Sequence, residues 1–405
     1  MRSFVRRTLA SLLGLLCLQG GACAEQQGSI ELWQAYAPRA ATHSQAELRW
    51  TPQWSGAPAD GWRWLLAPEL AASTPALQQG AAPWRDGDAP AALRLQQAYI
   101  GYRAEQWQLR VGKQVFDWSQ TDTISPADLL NARDWSDITR VRKLGVPALS
   151  LRYGNQTSVE WVWIPSPSVS MLPAGPWLPG AVASLLSPQQ QRPDGGETAL
   201  RLVGNWQQTD LSLIWYRGHS KAPDLALHAA PQGAALQAYY PDLQAQVLTL
   251  ARQVGAQNIA RLELARYRQS GGVDFLEYVA SIDQELSGVA NDADTLYFLL
   301  QAADSNDRAS ARNALGWPDF RRVLERNVQF KASYDPHSNR HQLFELTGTW
   351  NRGAHDRYWQ LSYQRRLGEH LSATLGLAVA SGRADTFWGA YRDTNRVYLN
   401  WVWRY

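Results

Sequence analysis

Thr394-Asn395-Arg396-Val397-Tyr398-Leu399-Asn400-Trp401-Val402-Trp403-Arg404-Tyr405 ends the chain, and its reading decides the fold. A β-strand points alternate side chains to opposite faces. Val397, Leu399, Trp401, Trp403 and Tyr405 therefore share one face, wholly apolar and closed by an aromatic residue. Arg396, Tyr398, Asn400, Val402 and Arg404 share the other, which is mostly polar. A half-buried strand in a soluble sheet has the same alternation, so the rest of the chain must decide between the two settings.

The opposite end reads as an export leader over residues 1–24. Arg2, Arg6 and Arg7 form a charged start, residues 9–18 an apolar core, and Ala22-Cys23-Ala24 a small-residue cleavage pattern. Glu25 is then the expected first residue of the mature chain. The apolar core is too short to span a membrane as a helix. Acylation at Cys23 is the rival reading; such sites usually carry Leu three residues earlier, where Gly20 stands here. Cleavage removes both cysteines, Cys17 and Cys23, so no disulfide holds the mature fold. It also removes three of the 39 basic residues, leaving 36 against 36 acidic ones and a formal charge of zero. The whole-chain excess of +3 is therefore no sign of a nucleic-acid partner, and none is expected.

Mean hydropathy is −0.38, and no apolar run after the leader is long enough for a spanning helix. A membrane barrel reconciles export with this polarity, because its lipid face is apolar and its lumen polar. Many of the 20 Trp suit the girdles such barrels place at both membrane surfaces. Period-two segments recur along residues 25–405. Trp107, Leu109 and Val111 oppose Gln108, Arg110 and Gln114; Val328, Phe330, Ala332 and Tyr334 oppose Gln329, Lys331 and Ser333; residues 343–350, 357–364 and 371–379 repeat the pattern. Strands are expected near 28–37, 43–54, 60–67, 91–102, 105–116, 146–153, 157–164, 198–206 and 209–217. The series continues near 243–254, 258–268, 272–285, 292–303, 325–334, 341–350, 357–366, 369–379 and 395–405. That makes one all-β domain, an antiparallel transmembrane barrel of about 18 strands, with 16 as the alternative because 60–67 and 243–268 alternate least clearly. With the N-terminus periplasmic, the periplasmic links are all short and most outer links long, the asymmetry such barrels show. The Pro-rich link 165–197 is left without assigned structure, and 318–326 reads as a short helix.

Gly112-Lys113-Gln114-Val115-Phe116-Asp117-Trp118, followed by an Asp-rich turn around Pro126, resembles a motif of Gram-negative outer-membrane barrels of the porin and alginate-export type. Lys113 stands where those barrels usually have Arg, and Ser119 where Gly often follows the Trp. Residues 387–393 before the last strand extend the likeness. The resemblance implies a channel for diffusion or export of a polar solute or oligosaccharide, with no cofactor and no catalytic residue. It implies outer-membrane lipid, lipopolysaccharide and the barrel-assembly machinery as partners, with Trp401, Trp403 and Tyr405 as the assembly signal. It also implies that the third outer link, 117–145, folds into the lumen. Its helix-like start is Ser125-Pro126-Ala127-Asp128. The constriction candidates are Asp117, Asp122, Asp128, Arg140 and Arg142 from this link. From the wall come Arg110, Lys113, Gln114, Glu345, Arg366 and Arg396. Inward wall charges of both signs do not make the basic lumen that a polysaccharide exporter needs. Three rivals remain: that exporter, a loop-plugged structural or lipid-handling barrel, and an enzyme with Asp210, His219 and Asp224 at the outer rim. His337 and His341 have metal-like spacing but lack a third ligand, and no metal is expected.

Overall fold

The computed structural model describes residues 25–41, 43–74, 91–122, 125–173, 175–178, 186, 191–230, 233–270, 274–306, 325–337 and 341–405. The leader and nearly all of the expected helix at 318–326 lie outside the described residues. Twenty-two strands follow in chain order. They are β1 (Glu25–Tyr36), β2 (Ser44–Gly56), β3 (Trp62–Ser73), β4 (Ala91–Ala104), β5 (Trp107–Gln114), β6 (Ala132–Asp134), β7 (Arg142–Leu144) and β8 (Val146–Gly154). Next come β9 (Ser158–Ile164), β10 (Glu197–Trp206), β11 (Thr209–His219), β12 (Asp224–Ala230), β13 (Gly233–Tyr239), β14 (Asp242–Val254) and β15 (Asn258–Gln269). The last are β16 (Phe275–Ser287), β17 (Thr295–Ser305), β18 (Asn327–Asp335), β19 (Gln342–Asn351), β20 (Asp356–Arg366), β21 (Leu371–Ser381) and β22 (Arg396–Arg404).

Eighteen of these form one antiparallel sheet in which each strand pairs with the next of the eighteen, β6–β7 and β12–β13 standing outside it as separate hairpins. The last strand returns to the first: Ile30 lies opposite Trp403 and Leu32 opposite Trp401. Tyr405 adds two more backbone bonds to Gly28, at 3.0 and 3.2 Å. Closure leaves no edge, so backbone groups at lipid depth are paired within the wall. The strand count is 18, not 16. Both segments that alternated weakly are strands. Asp242–Val254 and Asn258–Gln269 turn at Gly255, with φ +74°. The segment expected at 60–67 runs on to Ser73, because Pro68, which has no N–H to give, sits at a register shift rather than ending the strand.

Apolar side chains face outward, as the period predicts. Leu109, Val111, Leu361, Leu375, Leu377, Val397 and Trp403 are all exposed. Among the described residues, charges on outward strand faces fall only toward strand ends, where their cost in lipid is least. The Trp residues divide. Trp107, Trp206 and Trp403 face outward near strand ends, whereas Trp33, Trp118, Trp177 and Trp388 are buried inside. The girdle expectation therefore covers only part of the tryptophan content. One barrel end carries short turns only; the other carries every long link.

Candidate pore constriction

Eighteen strands about 4.8 Å apart and tilted about 40° enclose a backbone tube roughly 35 Å wide. Such a bore selects nothing by itself, so the content of the lumen decides what passes. Residues 115–145 enter it after β5. Gly112 makes the departure sterically workable: its φ is +128°, and a Cβ there would lie 2.2 Å from the Ala98 carbonyl oxygen. Gly145, at the return, passes equally close to Gln96.

The segment is fixed at opposite walls. On one side the β15 carboxylate of Glu263, fully buried, accepts four hydrogen bonds. They come from the backbone N–H groups of Gln120 (2.6 Å), Thr121 (3.0 Å) and Ala127 (3.3 Å) and from Ser125 Oγ (2.5 Å). The Tyr267 hydroxyl donates to Pro126 O at 3.1 Å. No helix follows Ser125-Pro126; the segment stays a turn because Glu263, rather than a helical ladder, takes its amides. On the other side, five cations alternate with five anions. Arg140 reaches Glu31 (3.1 Å) and Glu47 (3.2 Å). Arg142 reaches Glu69 (2.7 Å) and Asp134 (3.7 Å). Arg94 reaches Asp134 (3.1 Å), Arg396 reaches Asp137 (2.9 Å), and Arg49 pairs with Glu47. In barrel order β2 is second and β15 eleventh, nine strands apart in a circle of eighteen. The segment therefore crosses the lumen.

Burial raises the Asp137 carboxyl, but the attractions of Arg396 and Arg140 outweigh it and hold the group below its ordinary range. Asp134 behaves likewise, burial being offset by the Ser136 hydroxyl and by Arg94 and Arg142. Both stay ionised, as a charge network of this kind requires. Three further links join the crossing, directly or through one another. In 165–196, Met171 pairs its backbone with Arg133 and Trp135 at 2.8 and 3.1 Å. Trp177 lies with Ile138, Trp388 and Tyr391 in an apolar cluster inside the barrel. The Arg396 guanidinium stacks on both Trp33 and Trp177, at 4.9 Å from each ring. Ser170 Oγ accepts from Arg133 N (2.9 Å) and donates to Lys221 O, while Tyr240 donates to Ser170 O (3.1 Å). Burial pushes the Tyr240 hydroxyl up, so it remains a donor.

The sequence-selected residues divide between this crossing and other places. Arg140, Arg142 and Arg396 belong to it. Asp128 binds Arg133 (2.7 Å) and Lys143 (3.3 Å) within the segment, and Asp117 binds Lys143 (2.8 Å). Asp122 accepts from Tyr297 at 3.3 Å. Glu345 pairs with Lys331 (2.9 Å) on the facing wall. Lys113 is half-buried beside Gly145. Arg110 pairs with Glu160 (3.6 Å) nearer the turn end. Gln114 is wholly buried and bonds Ala148 O (2.9 Å) and Ser150 (3.1 Å), holding the wall rather than lining a path. Arg366 is exposed at the turn end, away from the crossing. The wall acids Glu31, Glu47, Glu69 and Glu263 were not selected. Their only signal is a carboxylate on the polar face of a strand, which many strands show. The rim triad is not assembled. Asp210 begins β11 and His219 ends it, a separation of about 30 Å along the strand. Among the described residues no group of three His, Cys, Asp or Glu could hold a metal ion.

Between the crossing and the wall of β15–β20 lies a cavity of about 550 Å³. Asp122, Arg133, Trp135 and Ile138 line it on the crossing side; Tyr267, Glu277, Gln329, Lys331, Thr349 and Tyr358 line it on the wall. Lys221 also borders it, but is bound to Glu197 at 2.5 and 2.7 Å.

No family model matches the chain, and no curated protein does. Solved structures do match. OpdK of Pseudomonas aeruginosa, in complex with vanillate, superposes with a TM-score of 0.55 at 11% identity, covering 95% of this chain and 98% of that one. OccK5 (OpdH) of the same organism gives 0.54 at 9%, covering 95% and 97%, and OccD3 (OpdP) gives 0.53 at 8%, covering 95% and 93%. At these identities the likeness is one of fold. In architecture this chain is a closed 18-stranded antiparallel β-barrel, the fold it shares with these outer-membrane proteins.

Proposed function

We propose that the protein is an outer-membrane channel admitting a small polar solute through the gap between the lumen crossing and the β15–β20 wall. The observation carrying this reading is the crossing itself, anchored at diametrically opposed strands and, among the described residues, leaving one side free. Its five cations and five anions cancel, so the filled half sets a local field without a net charge. The free side mixes aromatic rings with Arg133 and Lys331, which suits a solute having both an apolar face and a polar group. OpdK was solved with vanillate, an aromatic carboxylate, so vanillate is the first solute to try here. A polysaccharide exporter fits less well, since the lumen charges are balanced. A second reading has an observation of its own. The Trp177, Trp388 and Tyr391 cluster inside the barrel favours a plugged lumen.

Planar-bilayer recording separates the two. The channel reading expects discrete conductance steps, and vanillate should shift the reversal potential or transiently block the current. Replacing residues 119–137 by a short Gly/Ser turn should raise single-channel conductance several-fold and weaken selectivity. The barrel should still form, because its wall hydrogen bonds do not involve that segment. A silent wild type that conducts only after excision would mean a plug. Unchanged conductance after excision would place the constriction elsewhere.

A further inference from the structure

The outer wall of β11, β14 and β15 carries three arginines on its loop-side third. Strand register puts Arg217 opposite Gln244, and Gln244 opposite Arg268. One row nearer the turns, Trp215 lies opposite Gln246, and Gln246 opposite Arg266. All five polar residues border one outward groove of about 350 Å³, with Leu200 and Trp215 also lining it. Three guanidiniums crowded on one outward wall repel one another unless a counter-charge meets them. The protein supplies little. Asp274 lies 3.3 Å from Arg268 and 3.8 Å from Arg266, serving both with one carboxylate. Asp242, on the same strand face, is 3.3 Å from His219 instead. Among the described residues no carboxylate pairs with Arg217. Even with Asp242 counted, positive charge is therefore in excess, beside donors on Gln244 and Gln246 and above an apolar surface.

We propose that this groove binds the phosphate headgroup of an anionic lipid in the leaflet at the loop end of the barrel. Guanidinium groups bind phosphate oxygens in bidentate fashion, and the two glutamines offer further donors. Arg217 and Arg268 stand two strand spacings apart, roughly 10 Å, which brackets one headgroup. The acyl chains would then lie along Leu200 and Trp215, on the lipid-exposed wall. The proposal rests on the outer-membrane reading above, but not on whether the lumen conducts.

The test uses the full chain, extracted in detergent and reconstituted into vesicles of phosphatidylcholine alone or of phosphatidylcholine with phosphatidic acid. Native mass spectrometry counts retained lipid. Wild-type protein should retain phosphatidic acid in preference to phosphatidylcholine. The triple variant Arg217→Gln, Arg266→Gln, Arg268→Gln should lose about tenfold or more of that preference. Gln244→Glu keeps every arginine and adds a competing carboxylate; it should lower retention too, and serves if the triple variant assembles poorly. Inorganic phosphate, added alone, should not displace the lipid. Equal retention by the variants overturns the proposal. So does displacement by free phosphate, which would mean an ion site. A changed oligomeric state in the variants would make the patch a contact between copies, and also overturns it. Failure of the wild type to behave as a heat-modifiable membrane barrel would instead sink the outer-membrane reading.

Discussion

Glu263 shows how much one side chain can decide. Among the described residues it has no charged partner in hydrogen-bond contact; its four donors come from a segment more than 130 residues earlier in the chain. Glu263→Ala removes the carboxylate that accepts from the Gln120 and Thr121 amides, at about 1–3 kcal/mol each before relaxation, while the Ala127 amide keeps Ser125 Oγ at 3.1 Å. Expected results are a barrel of normal heat stability, faster proteolysis within 117–130, and a larger, noisier conductance. Glu263→Gln should fall between, since its amide keeps a single oxygen to accept with. An unaltered protease pattern in Glu263→Ala would show that the ion-pair cluster alone docks the crossing. At the closing strand, Trp403 packs on Tyr405 with ring centroids 5.0 Å apart, and the Tyr405 hydroxyl accepts from Trp50 across the seam at 2.8 Å. Changing Trp403 and Tyr405 to Asp exposes carboxylates at the membrane boundary and removes this joint. The double variant is expected to accumulate unassembled, as seen in the loss of the band that shifts on boiling.

The turns between strands offer a cleaner test of local design. Gln207 and Gln208 join β10 to β11 with φ +48° and +64°. Two successive positive φ values are the mark of the hairpin turn whose twist matches its strands, and Asn-Gly fits it best. Gln207→Asn with Gln208→Gly should raise barrel stability by about 1 kcal/mol, read as a shift in denaturant midpoint. No shift would mean that tertiary contacts, not local backbone preference, set the turn. The Asp294 carboxylate caps another turn, accepting from the N–H groups of Val289 (2.6 Å) and Ala290 (2.7 Å) and from the Tyr334 hydroxyl (2.9 Å). These bonds overcome the burial penalty and hold the group below its ordinary range. Hairpin β6–β7 is a contrasting element. Its two three-residue strands are too short to stand alone; Arg94 of β4 pairs with Asp134, Glu69 of β3 with Arg142, and Met171 of the link 165–173 with the backbone of Arg133 and Trp135.

For the whole molecule, the charge cluster sets a pH response. Asp134 and Asp137 are both depressed in the folded state, so their contribution to docking is complete above the ordinary Asp value near 4. It is lost as pH falls through the depressed values. Wall strands do not depend on these groups. Acidification well below pH 4 should therefore release the crossing before the barrel unfolds, seen as a conductance rise with the heat-modifiable band retained. Asp137→Asn should show part of that rise already at neutral pH. A conductance flat from neutral to strongly acidic pH would argue that packing around Trp177 holds the crossing without the ion pairs.

The wall was legible in the sequence because its rules are local. Period-two alternation, as in Val397–Tyr405 or Val328–Tyr334, reflects a solvent boundary that every strand meets separately, and the short and long links alternate with it. The strand expected at 60–67 runs on past Pro68 because a bulge absorbs a proline that would end a regular strand. The lumen was not legible. The lengths and charges of 117–145 pointed to a crossing, but not to its anchors. Glu31, Glu47, Glu69 and Glu263 look like any polar-face acids until closure brings β2 and β15 to opposite sides of one tube. Trp33, Trp177 and Trp388 look like girdle residues until the links fold inward over them. Which residues meet inside the barrel depends on the circular order of strands, and that order exists only after β22 pairs with β1.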